Sequence, residues 1–206
     1  AITPAKPNNV STPAEAAPTA RHHELVGACL DEGRHVRVEK PSAATLEQAD
    51  DLLARAQARR RVLQVGPVER YNAAFGALAA RMRRPLFIDA ERLSGFKQRG
   101  ADVDVVLDLM IHDLDLALSL AGAAAAEVSA CGFRVLTGDI DIANARVEFA
   151  NGCVASLSAS RVSQSPVRKL RVFQPELYVS ADLQAGRLRY VRQAAGAIEE
   201  TEENYD

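Results

Sequence analysis

With 206 residues, 48% of them hydrophobic and 25% charged, the chain is large enough to bury one sizeable core or two smaller ones. A formal net charge of −2 leaves no electrostatic footprint for nucleic acid, and no apolar run approaches the roughly 20 residues of a membrane-spanning helix. Tryptophan is absent, no secretory signal pattern is visible, and three scattered cysteines (Cys29, Cys131, Cys153) form no CxxC, so they read as reduced core thiols of a cytoplasmic protein.

Residues 1–20 are rich in Ala, Pro, Ser and Thr and carry no helix or strand period, so they read as a loose lead-in. His23–Glu32 then has helical periodicity, which Gly33 is placed to stop. His35–Glu39 is a short strand ended by Pro41. Ser42 is the expected cap of a long helix over Ala43–Arg60, with Leu46, Ala49, Leu52 and Leu53 on its apolar face. Val62–Val65 reads as a strand, Ala73–Arg84 as a helix and Leu86–Leu93 as a third strand. This alternation of helix and strand indicates parallel strands joined by helical crossovers.

The stretch Val103–Gly122 reads as a helix that is apolar almost all the way round, hence buried. Asp104, Asp108, His112 and Asp115 nonetheless share one stripe of it, within about 40° of Asp108 at 100° per residue, while Asp113 points to the other side. Such a stripe either faces a pocket or is a core histidine held by one carboxylate, with the other acids capping or solvated. Asp108, His112 and Asp115 as a metal site has little support, because all three come from one helix with no second ligand set.

Beyond this helix the period becomes alternating. Val128–Leu136, Ile140–Phe149, Cys153–Ser160, Lys169–Phe173, Glu176–Ser180 and Arg187–Val191 read as strands of an antiparallel sheet open on one face. Asn151-Gly152 is a hairpin signal for a two-residue turn, which places Ala143, Ala145, Val147 and Phe149 on one face. The acidic tail Glu199–Asp206 reads as solvated. The fold class is therefore α/β plus α+β: a partial Rossmann-like parallel unit over residues 1–70, then an antiparallel open-sheet domain over 71–206.

Glu39-Lys40-Pro41 falls at the carboxyl end of an expected parallel strand, the edge at which open α/β sheets place ligands. Taken in order, Pro18-Thr19…His22, Glu39-Lys40-Pro41, Gly66-Pro67-Val68-Glu69-Arg70-Tyr71-Asn72 and Asp108-Leu-Met-Ile-His112-Asp-Leu-Asp resemble the Gfo/Idh/MocA family of NAD(P)-dependent sugar oxidoreductases over about residues 17–190. The resemblance is strongest to the branch of UDP-N-acetylglucosamine 3-dehydrogenase-like proteins. It implies oxidation of a secondary alcohol of a sugar or nucleotide sugar, with NAD or NADP as cofactor. Lys40, Asp108 and His112 match the family's catalytic positions. By the same resemblance Pro18, Thr19, His22, Glu39, Lys40 and Arg70 lie on the cofactor side, and Tyr71 and Asn72 near the substrate. Asp115, on the polar stripe, and Arg161, beside Arg168 and Lys169, are further substrate candidates; solvated loop charge is the alternative for the arginines. The chemistry is consistent: a histidine titrating near neutrality takes the hydroxyl proton, and an ammonium stabilises the developing alkoxide.

The family's G-x-G-x-x-G turn, which cradles the pyrophosphate, is formed by none of the 12 glycines. About half of the expected dinucleotide-binding unit is missing, and Asn9–Ala17 is a poor strand sequence where one should precede Pro18. Two readings follow: part of a nucleotide-sugar oxidoreductase, or a non-catalytic scaffold that forms homo-oligomers through its open sheet. The first predicts that Lys40 and His112 converge on one pocket, although 72 residues separate them.

Overall fold

Residues 10–11, 19–66, 68–96, 103–194 and 196–205 are described in a computed structural model, in which the chain divides into two units, Ala1–Pro67 and Val68–Asp206. In the first, β1 (Val10–Ser11), β2 (His35–Glu39) and β3 (Leu63–Gly66) form a parallel sheet in the order β1-β2-β3, with α1 (His22–Asp31) and α2 (Leu46–Ala58) as the connecting helices. Parallel pairing demands such crossovers, and the sequence supplies them at the expected spacing. Val36 and Val38 alternate into a core with Val26, Leu30, Leu52 and Ala56. Gly33 ends α1 with a left-handed φ of 75°, donating to the Leu30 carbonyl at 2.9 Å.

Three expectations for this unit are corrected. Thr45, not Ser42, caps α2 by accepting from the Gln48 N–H at 3.3 Å, so the helix starts at Leu46. Leu46 and Leu53 are consequently exposed, and Leu52 and Ala56 carry the buried face. The poor strand sequence still yields β1, a two-residue strand that pairs Val10 with His35 and Ser11 with Val36.

The second unit opens with a 3-10 turn, Val68–Tyr71, followed by α3 (Ala73–Arg81), β4 (Phe87–Leu93), a π turn (Val106–Met110) and α4 (Ile111–Ala121). Then come β5 (Ala125–Phe133), β6 (Ile142–Phe149), β7 (Val154–Ser160), β8 (Val167–Gln174), β9 (Leu177–Asp182), β10 (Arg187–Ala194) and β11 (Ala197–Asn204). They form an eight-stranded sheet in the order β11-β10-β9-β8-β4-β7-β6-β5. Leu86–Leu93, expected as a third strand in the alternation of helix and strand, is β4: it runs parallel to β7, antiparallel to β8, and sits inside the large sheet. One face of this sheet packs Ile88, Ala90, Leu157, Leu170 and Val172 against Leu78 of α3 and Leu116 and Ala117 of α4.

The hairpin between β6 and β7 has the expected faces, with Ala143, Ala145, Val147 and Phe149 all buried, but its turn is three residues long. Phe149 donates to the Cys153 carbonyl at 2.9 Å, and Ala150-Asn151-Gly152 closes the loop with Gly152 at φ 84°. That is a turn followed by a left-handed bulge residue, the next most common hairpin after the two-residue type. The acidic tail is largely β11, paired along β10, where Arg189 meets Glu200 and Arg192 meets Glu199, each at 2.6 Å. Of the cysteines, Cys153 is buried, Cys29 half-buried and Cys131 exposed on β5, so Cys131 is not a core thiol.

Candidate active site

In the first unit, Glu39 and Lys40 stand at the carboxyl end of β2, both half-buried. Register pairs Glu39 with Gly66 at the end of β3, and a Cβ on Gly66 would come within 3.2 Å of the Glu39 carboxylate. The missing side chain thus makes room for an acceptor carboxylate at the strand ends, where parallel sheets bind ligands. The Lys40–Pro41 peptide is cis. His22, at the start of α1 and 3% exposed, donates from Nδ1 to the Pro41 carbonyl at 2.8 Å, so it fastens the loop after β2 to the helix. Its neighbour His23 binds Asp51 of α2 at 2.7 Å instead, so the two adjacent histidines diverge as helical geometry requires. Thr19 is half-buried in the short 3-10 segment ahead of α1; Pro18 lies outside the described residues.

In the second unit, the polar stripe of the buried helix resolves into separate roles. The π turn at Val106–Met110 takes more residues per turn than an α-helix, so each residue rotates less and the ideal stripe does not run unbroken. Asp104 falls off it and caps the helix, accepting from the N–H groups of Val106 at 2.9 Å and Leu107 at 3.0 Å. Asp108, inside the π turn, and His112, at the second position of α4, remain, both half-buried. Asp115 is gripped by Arg70, which donates from Nε and Nη2 to the two carboxylate oxygens at 2.5 and 2.6 Å. That bond raises the Arg70 pKa. The structure therefore brings Arg70 to Asp115, 45 residues away in the chain, on the same helix α4 that carries His112. Tyr71, next to Arg70, is 80% exposed. Lys40 belongs to the first unit and His112 to the second, and each is placed within its own unit.

Two substrate candidates are occupied by the fold. Asn72 caps α3 by accepting from the Phe75 N–H at 3.1 Å, and its amide donates to the Leu183 carbonyl at 2.9 Å. Arg161 is 3% exposed, donates to the Val103 carbonyl at 2.5 Å and lies 3.7 Å from Asp141, so it braces the chain entering the π turn rather than offering a surface anion site. Among the described residues no group of three His, Cys, Asp or Glu is arranged to hold a metal ion. A groove of about 410 Å³ beside α4 and β5–β6 is lined by apolar residues such as Met110, Val128 and Phe149, with Asn144 and Cys131 as exceptions, and offers no acid or base.

Sequence reasoning missed a buried charge network. Arg92, 3% exposed at the end of β4, donates to both oxygens of Asp113 at 2.9 Å and to Glu69 at 2.9 Å. Burial works against the Arg92 charge, but the bonds to Asp113 and Glu69 outweigh it and leave its pKa raised. Burial pushes the Asp113 carboxyl upward, against the pull of Arg92. The two directions conflict for a single pair. The two-pronged contact decides for the ionised state, since a guanidinium keeps its proton throughout the accessible pH range. The signal was legible in part: Asp113 points off the stripe into the core, and β4 buries Ile88, Ala90 and Arg92 by alternation.

The parallel unit and the larger mixed sheet correspond to two domains of one known family. The model of the oxidoreductase family's NAD-binding Rossmann fold matches residues 9–67, and that of the GFO/IDH/MocA C-terminal domain matches residues 74–176. The chain belongs to the Gfo/Idh/MocA family. It is 40% identical over 182 residues to the UDP-N-acetylglucosamine 3-dehydrogenase of Acidithiobacillus ferrooxidans, a match covering 88% of this chain and 58% of the relative. A solved structure of that dehydrogenase, GnnA, superposes with a TM-score of 0.85 at 37% identity, over 92% of this chain and 63% of that one. The scyllo-inositol 2-dehydrogenase (NAD(+)) of Bacillus subtilis is 27% identical over 71% of this chain and 47% of its own length. An inositol dehydrogenase homologue from Azotobacter vinelandii, solved with NADH and myo-inositol, shares the fold at a TM-score of 0.78 and 20% identity, over 91% of this chain and 54% of its own. The chain thus spans between about half and just under two thirds of the length of these relatives.

Proposed function

We propose that this chain carries the substrate-side and part of the cofactor-side machinery of an NAD(P)-dependent dehydrogenase that oxidises a secondary alcohol of a nucleotide sugar, UDP-N-acetylglucosamine being the first candidate. The observation that carries the reading is α4. An apolar helix with a π turn at its start presents Asp108 and His112 half-buried, in a chain 40% identical to a UDP-N-acetylglucosamine 3-dehydrogenase. π turns inside helices recur at functional sites. His112 is the base that takes the hydroxyl proton, Asp108 orients its ring, and Lys40 supplies a cation for the developing alkoxide. Arg70, held flat by Asp115, and Tyr71 line the approach to that helix.

On the cofactor side, the carboxylate of Glu39 over Gly66 suits the hydroxyls of a ribose, and Thr19 and the loop braced by His22 lie on the same side. NAD, when bound, supplies the hydride acceptor. The residues present fit the ribose end; the pyrophosphate cradle has no counterpart among the 12 glycines.

The outer face of the eight-stranded sheet serves as the oligomer interface. It carries an aromatic row, Phe87, Phe173 and Tyr178, with ring centroids 5.9 and 4.8 Å apart, beside the Asp89–Arg171–Glu91 charge cluster. Apolar and charged patches side by side on one face can match a rotated copy of themselves. We place the activity in the cytoplasm, where three free thiols stay reduced.

A fluorescence titration with NADH tests the cofactor half. Saturable binding that weakens in Glu39→Ala supports it, and no saturation at millimolar cofactor rejects it for this chain.

A further inference from the structure

We propose that Arg92 is a positioning residue: its buried guanidinium sets the rotation of the helix that carries Asp108 and His112 relative to the turn that carries Arg70 and Tyr71. The inference rests on the functional reading of His112 given above. Its geometric basis is independent of that reading.

The 3-10 turn Val68–Tyr71 is tied to α4 twice. Glu69 reaches Asp113 through Arg92, with every contact at 2.9 Å, and Arg70 reaches Asp115 directly at 2.5 and 2.6 Å. Residues 113 and 115 are two apart, about 200° around a helix, so the two ties grip nearly opposite sides of it. One tie would leave α4 free to roll; two opposed ties stop it. His112 precedes Asp113 in the chain, so any roll that breaks the Arg92 contact also swings the imidazole.

Stability alone does not account for the arrangement. Burying a guanidinium and two carboxylates carries a large desolvation cost, and well-packed apolar side chains of similar volume hold a core at least as well. What apolar side chains lack is direction. A planar fork meeting a carboxylate with two parallel hydrogen bonds fixes angle as well as distance, which a methyl group does not. Arg92 lies at the end of β4, inside the sheet, so the fork is mounted on a rigid element.

Two variants test the proposal. Arg92→Met/Asp113→Leu removes the two-pronged ion pair together, keeps apolar volume in its place, and leaves Glu69 to Arg168, 3.6 Å away. It is expected to melt close to the parent, yet to lose roughly ten- to a hundred-fold in kcat for UDP-N-acetylglucosamine and NAD, with KM little changed. Parent-like turnover in the folded double variant overturns the proposal, because stability would then be the whole role. Arg92→Lys keeps the charge but has no fork, and serves equally if the double variant does not fold. Its readout is the ring signals of the four histidines by NMR, of which His22, His23 and His35 lie in the first unit. The His112 signal is expected to shift or broaden while the other three stay put; an unmoved His112 overturns the clamp. Absence of turnover in the parent chain rejects catalysis by this chain alone with this substrate, and the His112 signal then decides on the clamp alone.

Discussion

Asp141 shows how a single carboxylate can organise a loop. It is fully buried and accepts from the Thr137 hydroxyl at 2.7 Å and from the N–H groups of Val135, Leu136 and Thr137 at 2.7–2.9 Å. Burial alone would raise its pKa, but these four bonds outweigh it and hold the carboxyl well below the usual carboxylate range. A depressed folded pKa contributes stability that is present above the unfolded value, about 3.9, and is lost as pH falls toward the folded one. Melting temperatures measured from pH 7 downwards should therefore drop in the parent below about pH 4. In Asp141→Asn the melting temperature should start lower at neutrality and fall less steeply in acid; parallel curves would disprove the assignment. Arg92 is the harsher case. Arg92→Met alone leaves Asp113 buried without its partner and should cost about 3–5 kcal/mol by urea denaturation. Neither residue was singled out in the sequence. Asp141 sits in a loop whose convergent N–H groups are a product of folding, whereas Asp113 was visibly off the polar stripe but its partner 21 residues away was not nameable.

At the scale of elements, α4 and its π turn decide how the polar stripe is used. The positions of Asp108 and His112 on a largely apolar helix were legible from periodicity, and the sequence left pocket and cap as open alternatives for its acids. What periodicity could not supply was the change of pitch: an i→i+5 turn looks like any apolar run until its backbone is seen. Asp104 separates the two roles experimentally. As a cap it should cost about 1 kcal/mol when changed to alanine, the usual value for a lost N-cap. Gly122, which ends α4 with φ 61° and has open space where a Cβ would stand, should lose about 1 kcal/mol as alanine from backbone conformation alone. Both are measurable by chemical denaturation, and a silent Gly122→Ala would refute the left-handed cap. The strand β11 illustrates the opposite failure of reading. Four glutamates in a row of six residues look solvated, yet Glu199, Glu200 and Glu202 meet arginines of β10 and Glu203 meets Arg81 of α3. The result is an edge strand blunted by charge, a common defence against further strand addition.

For the whole molecule, the succession of a parallel unit and a larger, mostly antiparallel sheet was legible because the hydrophobic period changes along the chain. The place of β4 was not, since nothing local distinguishes a third parallel strand from the centre of another sheet. The open outer face yields a prediction at this scale. Light scattering should find an oligomer that Phe173→Glu converts to monomer, because the substitution sets a charge into the aromatic row between Phe87 and Tyr178. A monodisperse parent monomer at high concentration would remove the interface from the account. The central claim, that His112 is the base of a nucleotide-sugar dehydrogenase, is tested most directly by following reduction of NAD in the presence of UDP-N-acetylglucosamine, for the parent and for His112→Ala. The parent should turn over, and His112→Ala should lose activity by at least roughly a hundred-fold while keeping its circular dichroism and melting temperature. Turnover by His112→Ala at the parent's rate would contradict it.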